Sequence, residues 1–427
     1  MTTISPKHDP SCMDDYDPNS LDAKQALQQI LTRLQPIAKT EVLPIRDALG
    51  RIIAEEIRSK IDVPGHTNSA MDGYAIDGAE LPSQGQQAFV VAGTAWAGRP
   101  YLGNVKSGEC IRIMTGAAMP ENTDTVIMQE HVQKDGGNIL VDNTNKLGQN
   151  VRQAGEDIAT GEITLTRGNF ISPAELGLLA SVGISEVRVL KKIRIAFFST
   201  GDELQPVGSV LEKGQIYDSN RYTLYGMLAR LGVEIIDMGV IKDKKDAIKQ
   251  AFNKAALCAD VVITSGGVSV GDADFVKETL ESIGEVNFWK VAMKPGRPLA
   301  FGKIKDAWFF GLPGNPVSVM VTFYMFVQPA LKKMMGSAYH EPLIINATSN
   351  TQLRKRPGRI EYQRGVLTRI EHSDPTVCNY EVIKTGAQGS GILRSMSNAN
   401  CFIILPTDSS DVEIGDSVQV LPFEAIV

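Results

Sequence analysis

At 427 residues the chain is longer than one hydrophobic core normally serves, so several domains are expected. Its composition (43% hydrophobic, 22% charged, 6% aromatic) is that of an ordinary globular protein, which sets disorder aside as the default. A net charge of −6 argues against a protein that holds nucleic acid through its phosphates, and the most apolar stretch, "VSVMVTFYMFVQPAL", is shorter than the roughly 20 residues a membrane span needs.

The five cysteines, Cys12, Cys110, Cys258, Cys378 and Cys401, are scattered, with no CxxC pair and no Cys/His cluster. Neither a disulfide framework nor a structural zinc site is indicated, which suits a reducing, cytoplasmic setting. The polar, proline-punctuated start "MTTISPKHDPSCMDDYDPNS" has no apolar core of a signal peptide.

In chain order, residues 1–20 read as a disordered tail. "LDAKQALQQILTRLQPI" places Ala23, Ala26, Leu27, Ile30, Leu31 and Leu34 on one face of an amphipathic helix. "EVLPIRDALGRIIAEEI" reads as a short strand and a helix. From about 62 to 165, β-type runs such as "QAFVVAG", "GECIRIM" and "NILV" alternate with glycine-rich turns, a β-rich module. "ISPAELGLLASVGISEVRVL" predicts a serine-capped helix with Pro173 in its first turn, then a strand. Residues 21–61 and 166–190 together form a helical and strand linker domain.

Residues 191–340 carry the clearest pattern. "IRIAFFS", "VEIIDMGVI", "DVVIT" and "AWFFG" read as strands. Between and after them, "NRYTLYGMLARLG", "KKDAIKQAFNKAALCA", "DADFVKETLESIG" and "PVSVMVTFYMFVQPALKKM" have helical spacing. Such alternation predicts a doubly wound parallel sheet covered on both faces. Residues 341–427 return to β-type runs and form a small all-β domain. The fold class is therefore multidomain α/β.

Ligands of such sheets bind beyond the carboxyl ends of the strands. The loops there are "STGDE" (199–203), "KDKKD" (242–246), "TSGGVSVGDAD" (264–274) and "GLPGNPVS" (311–318). Their glycines let backbone N–H groups approach a phosphate closely. Glu203, Asp243, Asp272 and Asp274 are suited to Mg²⁺, which typically bridges one or two carboxylates to substrate phosphates. In "FWKVAMKPGRPLAFG", Lys290, Lys294 and Arg297 surround a rigid Pro-Gly turn, an arrangement suited to a small oxyanion or a phosphate. Neither GxxxxGK[ST] nor a junctional GxGxxG is present, so the P-loop and dinucleotide classes lack support; HExxH and GxSxG are absent as well. His66, alone in "PGHTNSAMDGYA", is read as structural.

Six blocks now stand in order: "VPGHTNSAMDGYA", "IMTGAAMPENTDTVIMQE", "STGDEL", "TSGGVSVGDAD", "VAMKPGRPLAFG" and "GLPGNPVS". Together they resemble the MoeA family of molybdopterin molybdenumtransferases, whose eukaryotic relatives include the gephyrin E domain, over roughly residues 20 to 427. The resemblance implies an elongated four-domain homodimer, with a molybdopterin-binding-like sheet domain and a cleft shared between subunits. It implies Mg²⁺-assisted insertion of molybdate into adenylylated molybdopterin, with release of AMP. Partner proteins implied are the molybdopterin adenylyltransferase and molybdenum-enzyme maturation factors, with neither nucleic acid nor membrane.

By the same resemblance Glu203, Asp243 and Asp274 surround nucleotide and metal, with Glu203, Asp274, Lys290 and Lys294 as the catalytic set. Thr264, Ser265, Gly266, Gly267, Ser269 and Gly271 cradle the phosphates. Arg297, Pro298, Pro313, Pro316 and Ser318 line the molybdate and phosphate pocket, and Arg359, Arg364 and Ser390 of the last domain help receive molybdate. Asp72, Thr115 and Asp157 of the β-rich module reach the partner's cleft. One departure is Arg297, where many relatives have lysine: the charge is kept and the hydrogen-bond geometry changes. Two other readings stay open here, a non-catalytic gephyrin-like scaffold and the adenylyltransferase that shares the sheet fold. Lack of a fused second enzymatic domain weighs against the first, and the flanking β-modules weigh against the second.

Overall fold

The computed structural model describes residues 20–267, 275–337, 340–370 and 380–426. They fall into two compact units: Thr40–Val189, and a second formed by the residues before Thr40 together with those from Leu190 onward.

The first unit is built on a six-stranded sheet in the order Thr125–Met128, Gly73–Ile76, Glu109–Ile113, Gln86–Ala95, Asn138–Asp142, Gln133–Asp135. Side chains alternate across a strand, so neighbours in sequence feed opposite cores. Tyr74, Ile76, Phe89 and Ile139 pack on one face, Ala75, Ile111 and Val126 on the other. A separate core joins Ile53, Leu165, Val187 and Val189 to the helix Pro173–Ser181. Ser172 caps that helix and Glu175 returns a bond to the Ser172 N–H, a complete capping box.

One expected helix is not there. After the strand Thr40–Pro44, Ile45–Ala48 makes a single 3₁₀ turn, and Gly50 at φ 76° turns the chain out of helical geometry. The β-branched pair Ile52 and Ile53 then bridges to Phe170 and Val189 as extended chain.

The second unit holds a six-stranded sheet in the order Glu234–Ile241, Arg194–Thr200, Val261–Ser265, Ala307–Leu312, Pro298–Ile304, Gly284–Lys290. The first four strands are parallel, and the last two run as an antiparallel edge. The chain enters at Arg194–Thr200, moves to Glu234–Ile241 on one side, and then crosses to Val261–Ser265 on the other. The topological switch point therefore lies between Arg194–Thr200 and Val261–Ser265, whose carboxyl ends carry the Gly201 and Gly266 loops.

Phe197, Ile195 and Phe310 pack on one side of this sheet with the helix Ser219–Arg230; Phe198, Ala196 and Phe309 pack on the other with Lys245–Cys258. The predicted long helix after Asn315 runs as Pro316–Thr322, a π-helical turn Phe323–Val327, and Gln328–Met334. Pro329 has no N–H to give an i−4 bond, and the π turn just before it absorbs that loss. No helix among the described residues is long and apolar enough to cross a membrane.

At the C-terminal end, Ile360–Arg369, Tyr380–Lys384, Ile345–Ser349, Ser417–Pro422 and Cys401–Leu405 follow one another around a barrel, which the pairing of Cys401–Leu405 back to Ile360–Arg369 closes. Phe402, Tyr362 and Leu421 belong to the same apolar cluster as Phe197 and Phe310, so the barrel and the sheet share a core. The basic turn joins them through the backbone: Met293–Lys294 pairs in parallel with Ile360–Glu361. In that turn Gly296 sits at φ 97°, and a Cβ there would stand 2.5 Å from Thr322 Oγ1.

Two expected outcomes follow from this packing. Gly296→Ala should cost about 1–3 kcal/mol in backbone strain before any clash is counted, read by urea unfolding, and should lower activity. Burial pushes the Cys110 and Cys401 thiols up to about 12, whereas Cys258 is partly exposed. Iodoacetamide at pH 8 should label Cys258 and leave Cys110 and Cys401 untouched until the chain unfolds, as mass spectrometry will show.

Candidate active site

The carboxyl edge of the parallel strands collects most of the described candidate residues. Thr264 and Ser265 end their strand fully buried, with Ser265 Oγ 2.9 Å from Ser199 Oγ on the neighbouring strand. Thr264 Oγ1 is buried and has no hydrogen-bond partner among the described residues. The chain then turns through Gly266 and Gly267 at φ 87° and 66°. A Cβ on Gly267 would lie 2.3 Å from Val276 Cγ2, so only glycine fits this close pass of loop against helix. Ser269, Gly271, Asp272 and Asp274, further along the same loop, lie outside the described residues.

Gly311–Ser318 forms the centre of the arrangement. Gly266 N–H donates to Leu312 O at 3.1 Å. A Cβ on Gly314 would meet Gly266 Cα at 3.9 Å, and Asn220 Nδ2 donates to Gly314 O at 2.6 Å. Pro313 is buried and Pro316 opens the following helix, in whose first turn Ser318 is 4% exposed. A Cβ on Gly296 of the basic turn would lie 3.4 Å from Ser318 O. On the barrel side, Asn315 Nδ2 donates to Ser390 Oγ at 3.0 Å, and Val317 N–H to Ser390 O at 3.0 Å. One short segment thus touches the glycine loop, the basic turn and the Ser390 loop.

The acidic side comes from two neighbouring loops. Glu203 and Asp202 are exposed after Gly201, and Asp243 N–H donates to Asp202 Oδ1 at 3.2 Å. Burial, with repulsion from Asp202 and Glu203, holds the Asp243 carboxyl above its ordinary value. Asp202 was not singled out from the sequence; its part emerges only when the Gly201 loop folds beside Asp243. Among the described residues no three His, Cys, Asp or Glu side chains stand close enough to grip an ion by themselves.

The basic side is the 290–298 turn. Lys290 ends one antiparallel edge strand opposite Pro298 at the start of the next, and Val291 N–H closes the turn on Arg297 O at 2.7 Å. Leu21 from the chain's beginning adds backbone bonds to Lys290 O and from Ala292 N, each 2.8 Å. Lys294 and Arg297 are half-buried, and Lys294 Nζ lies 3.5 Å from Glu361 Oε2.

In the barrel, Arg359 is half-buried beside this ladder. Arg364 is 1% exposed, and burial pushes its guanidinium down to about 10. Its Nε donates to Ser395 Oγ at 3.0 Å and its Nη2 to Gly389 O at 3.2 Å, so it anchors the loop that carries Ser390. Gln388 reinforces that loop, accepting from Arg364 N–H at 2.8 Å. Nothing in the spacing of "GAQGSG" singles out Gln388.

Asp72, Thr115 and Asp157 belong to the Thr40–Val189 unit. There Asp72 Oδ1 accepts from both Thr115 N and Thr115 Oγ1 at 2.7 Å, bonds that hold its carboxyl below the usual range. Asp157 is exposed, with its N–H bonded to Val63 O at 3.0 Å.

Comparison with known proteins bears on this geometry directly. Residues 21–183 match the MoeA N-terminal region (domain I and II), 196–333 a probable molybdopterin binding domain, and 346–423 the MoeA C-terminal region (domain IV). The molybdopterin molybdenumtransferase of Haemophilus influenzae is 44% identical over 405 residues, 94% of this chain and 98% of the relative. That of a Nostoc species is 34% identical over 97% of this chain and 96% of its own length. The crystal structure of the molybdopterin biosynthesis moeA protein from Pyrococcus horikoshii superposes with a TM-score of 0.80 at 29% identity, covering 94% of this chain and 100% of that one. With three matched regions in order and 44% identity across nearly the whole of both chains, the protein belongs to the MoeA family.

Proposed function

We propose that this chain inserts molybdate into adenylylated molybdopterin, releasing AMP and forming molybdenum cofactor. The supporting observation is the Gly311–Ser318 segment, which brings the Gly266–Gly267 turn, a cationic turn and the barrel's Ser390 loop against one another. The names of the relatives support the same reaction.

In this reading the Gly266–Gly267 backbone, with Thr264 and Ser265 behind it, receives the phosphates of the adenylylated pterin. Lys290, Lys294, Arg297 and Arg359, with Ser318 and Ser390, hold the molybdate dianion; lysines act as point charges and arginines as forks. Pro298, Pro313 and Pro316 fix the turns that carry these groups, and Arg364 secures the Ser390 loop from behind. Two Mo–S bonds form as one oxo ligand leaves with the two dithiol protons as a water molecule, and another water cleaves the phosphoanhydride to release AMP. Fixed cations beside the departing oxygens stabilise the charge that develops, so no side chain serves as a covalent nucleophile.

The acidic side fits Mg²⁺, since like-charged carboxylates crowd Asp243 and Mg²⁺ usually needs only one or two protein carboxylates besides substrate phosphates. One or two carboxylates drawn from Asp202, Glu203, Asp243 and Asp274 would hold it beside the substrate phosphates, and when bound it would neutralise charge on the phosphoanhydride. Asp72, Thr115 and Asp157 complete the partner subunit's cleft in a homodimer. Within the cell the protein works in the cytoplasm, between a molybdopterin adenylyltransferase and the factors that mature molybdenum enzymes.

Purified protein given adenylylated molybdopterin, Mg²⁺ and molybdate should release AMP only when molybdate is present, as chromatography will show. Lys294→Ala should lose about 10²-fold or more of that turnover; undiminished release would remove Lys294 from the site.

The Asp243 carboxyl titrates higher in the folded chain than in the unfolded one, so its ionised form costs stability as pH rises through that window, and the cost is full above it. Asp243→Asn should therefore melt at a higher temperature than the parent at pH 7 without metal. The gain should shrink below about pH 4, where the ordinary carboxyl is itself protonated, and turnover should be lost. A lower melting temperature at pH 7 would contradict the crowding of like charges.

A further inference from the structure

The cationic turn is tied to a carboxylate that the reaction does not use. Lys294 and Glu361 are opposed across the short parallel ladder between turn and barrel, and Lys294 Nζ lies 3.5 Å from Glu361 Oε2. Their exposures differ sharply: the Lys294 side chain is 34% exposed and that of Glu361 only 3%. A carboxylate so withdrawn from water persists only where charge and hydrogen bonds compensate it. Gln363 Nε2 supplies one bond at 3.4 Å, and it also donates to Arg354 O at 3.0 Å, while Gln363 Oε1 is left without a partner among the described residues. That arrangement spends the amide on its donor side, where Glu361 needs it.

Glu361 also balances more than one cation. Burial holds the Lys355 ammonium below its ordinary value; Glu361 opposes that effect, while Arg359 and Lys294 add to it. Lys355 is 4% exposed and already donates to Arg356 O at 2.7 Å. One buried carboxylate thus faces both Lys294 and Lys355, the first of which the preceding section assigns to molybdate.

We propose that Glu361 is a positioning residue for the molybdate site: it fixes Lys294 Nζ at the barrel edge and offsets part of the cationic charge there. Held too strongly, the dianion would sit in its ground state; with Glu361 in place the lysine is ordered and its field moderated, leaving interaction to be gained as oxo charge develops. The proposal rests on Lys294 contacting molybdate.

The test uses the full-length protein and molybdate alone as the calorimetric probe, with Glu361→Gln, Glu361→Asp and Lys294→Ala. Turnover and melting temperature are followed in parallel. Removing the charge in E361Q should tighten the Kd for molybdate about three- to tenfold, a modest fraction of what one unit charge at this distance exerts at an effective dielectric near 20. E361D, which draws the carboxylate back by one methylene, should tighten it about twofold by the same argument. Both variants should lower kcat, E361Q more, so KM and kcat fall together. A residue that merely stabilised the fold would weaken binding as it lowered the melting temperature. Binding that is unchanged or weaker in E361Q, or in E361D should E361Q fail to fold, overturns the proposal. If K294A weakens molybdate binding while the Glu361 variants do not change it, only the role of Glu361 falls. If K294A itself leaves the Kd unchanged, the assignment of Lys294 to the oxyanion falls and the proposal with it.

Discussion

The constraint on which the second unit's site depends is the close pass of Gly311–Ser318 beneath three loops. Gly314 lies against Gly266, Ser318 against Gly296, and Asn315 against Ser390. Two of those loops also admit only glycine at their turns, since a Cβ at Gly296 would stand 2.5 Å from Thr322 Oγ1 and one at Gly267 2.3 Å from Val276 Cγ2. The contacts demand that sheet and barrel hold a fixed distance. The shared core of Phe310, Tyr362 and Phe402 and the two-residue ladder at Lys294 supply that rigidity. In the proposed site loops rather than strands supply the functional groups, and the scaffold keeps those loops from drifting apart.

Much of this was legible in the sequence, for reasons that can be named. The Lys245–Cys258 helix announced itself because Ile248, Ala251, Phe252 and Ala255 recur with helical period, and those same residues are buried. The Ser172 cap was legible because Pro173 and the following apolar run leave few other uses for a serine there. The parallel strands were legible as β-branched and aromatic runs, and with them the edge where loops would gather. The missing helix after Pro44 is the converse case: apolar spacing suggested a helix, and Gly50 together with Ile52–Ile53 pairing decided for extended chain.

Other features were hidden because they depend on three-dimensional pairing that sequence spacing does not encode. The antiparallel edge made by Gly284–Lys290 and Pro298–Ile304 interrupts an otherwise parallel pattern, and it is this edge that lets the basic turn reach the barrel. Asp202 looks like a turn aspartate until Asp243 is brought to it across 41 residues. Nothing in "RKRPGRIEYQRG" tells that Arg364 is among the most buried side chains of the described residues, on the same strand face as Tyr362, which packs on Phe402. Glu361 is concealed in the same run, one charge among many, and only its ladder partner distinguishes it.

The distribution of unmet hydrogen-bonding capacity carries the argument one step further. Folded chains leave few buried polar atoms unpaired, and each exception asks for a cause. Among the described residues, Thr264 Oγ1, Asn220 Oδ1, Asp218 Oδ2, Thr322 Oγ1 and Gln363 Oε1 are such exceptions. Thr264 ends the strand at the glycine loop, Asn220 bonds the Gly314 carbonyl, Asp218 caps the helix that carries Asn220, Thr322 faces Gly296, and Gln363 braces Glu361. Thr279 Oγ1 on the helix Phe275–Ile283, and Asn68 Oδ1 and Thr164 Oγ1 in the first unit, are exceptions of the same kind away from these contacts, while Arg194 pairs with Asp260 and Arg221 with Asp237. Five of the eight such atoms among the described residues thus stand at or beside one set of loops, the pattern expected where groups are held in place for a ligand and are not free to satisfy one another. Glycines at Gly266, Gly267 and Gly296 let the backbone turn there without strain, so what the chain gives up where sheet, turn and barrel meet is hydrogen bonding at Thr264, Asn220 and Thr322.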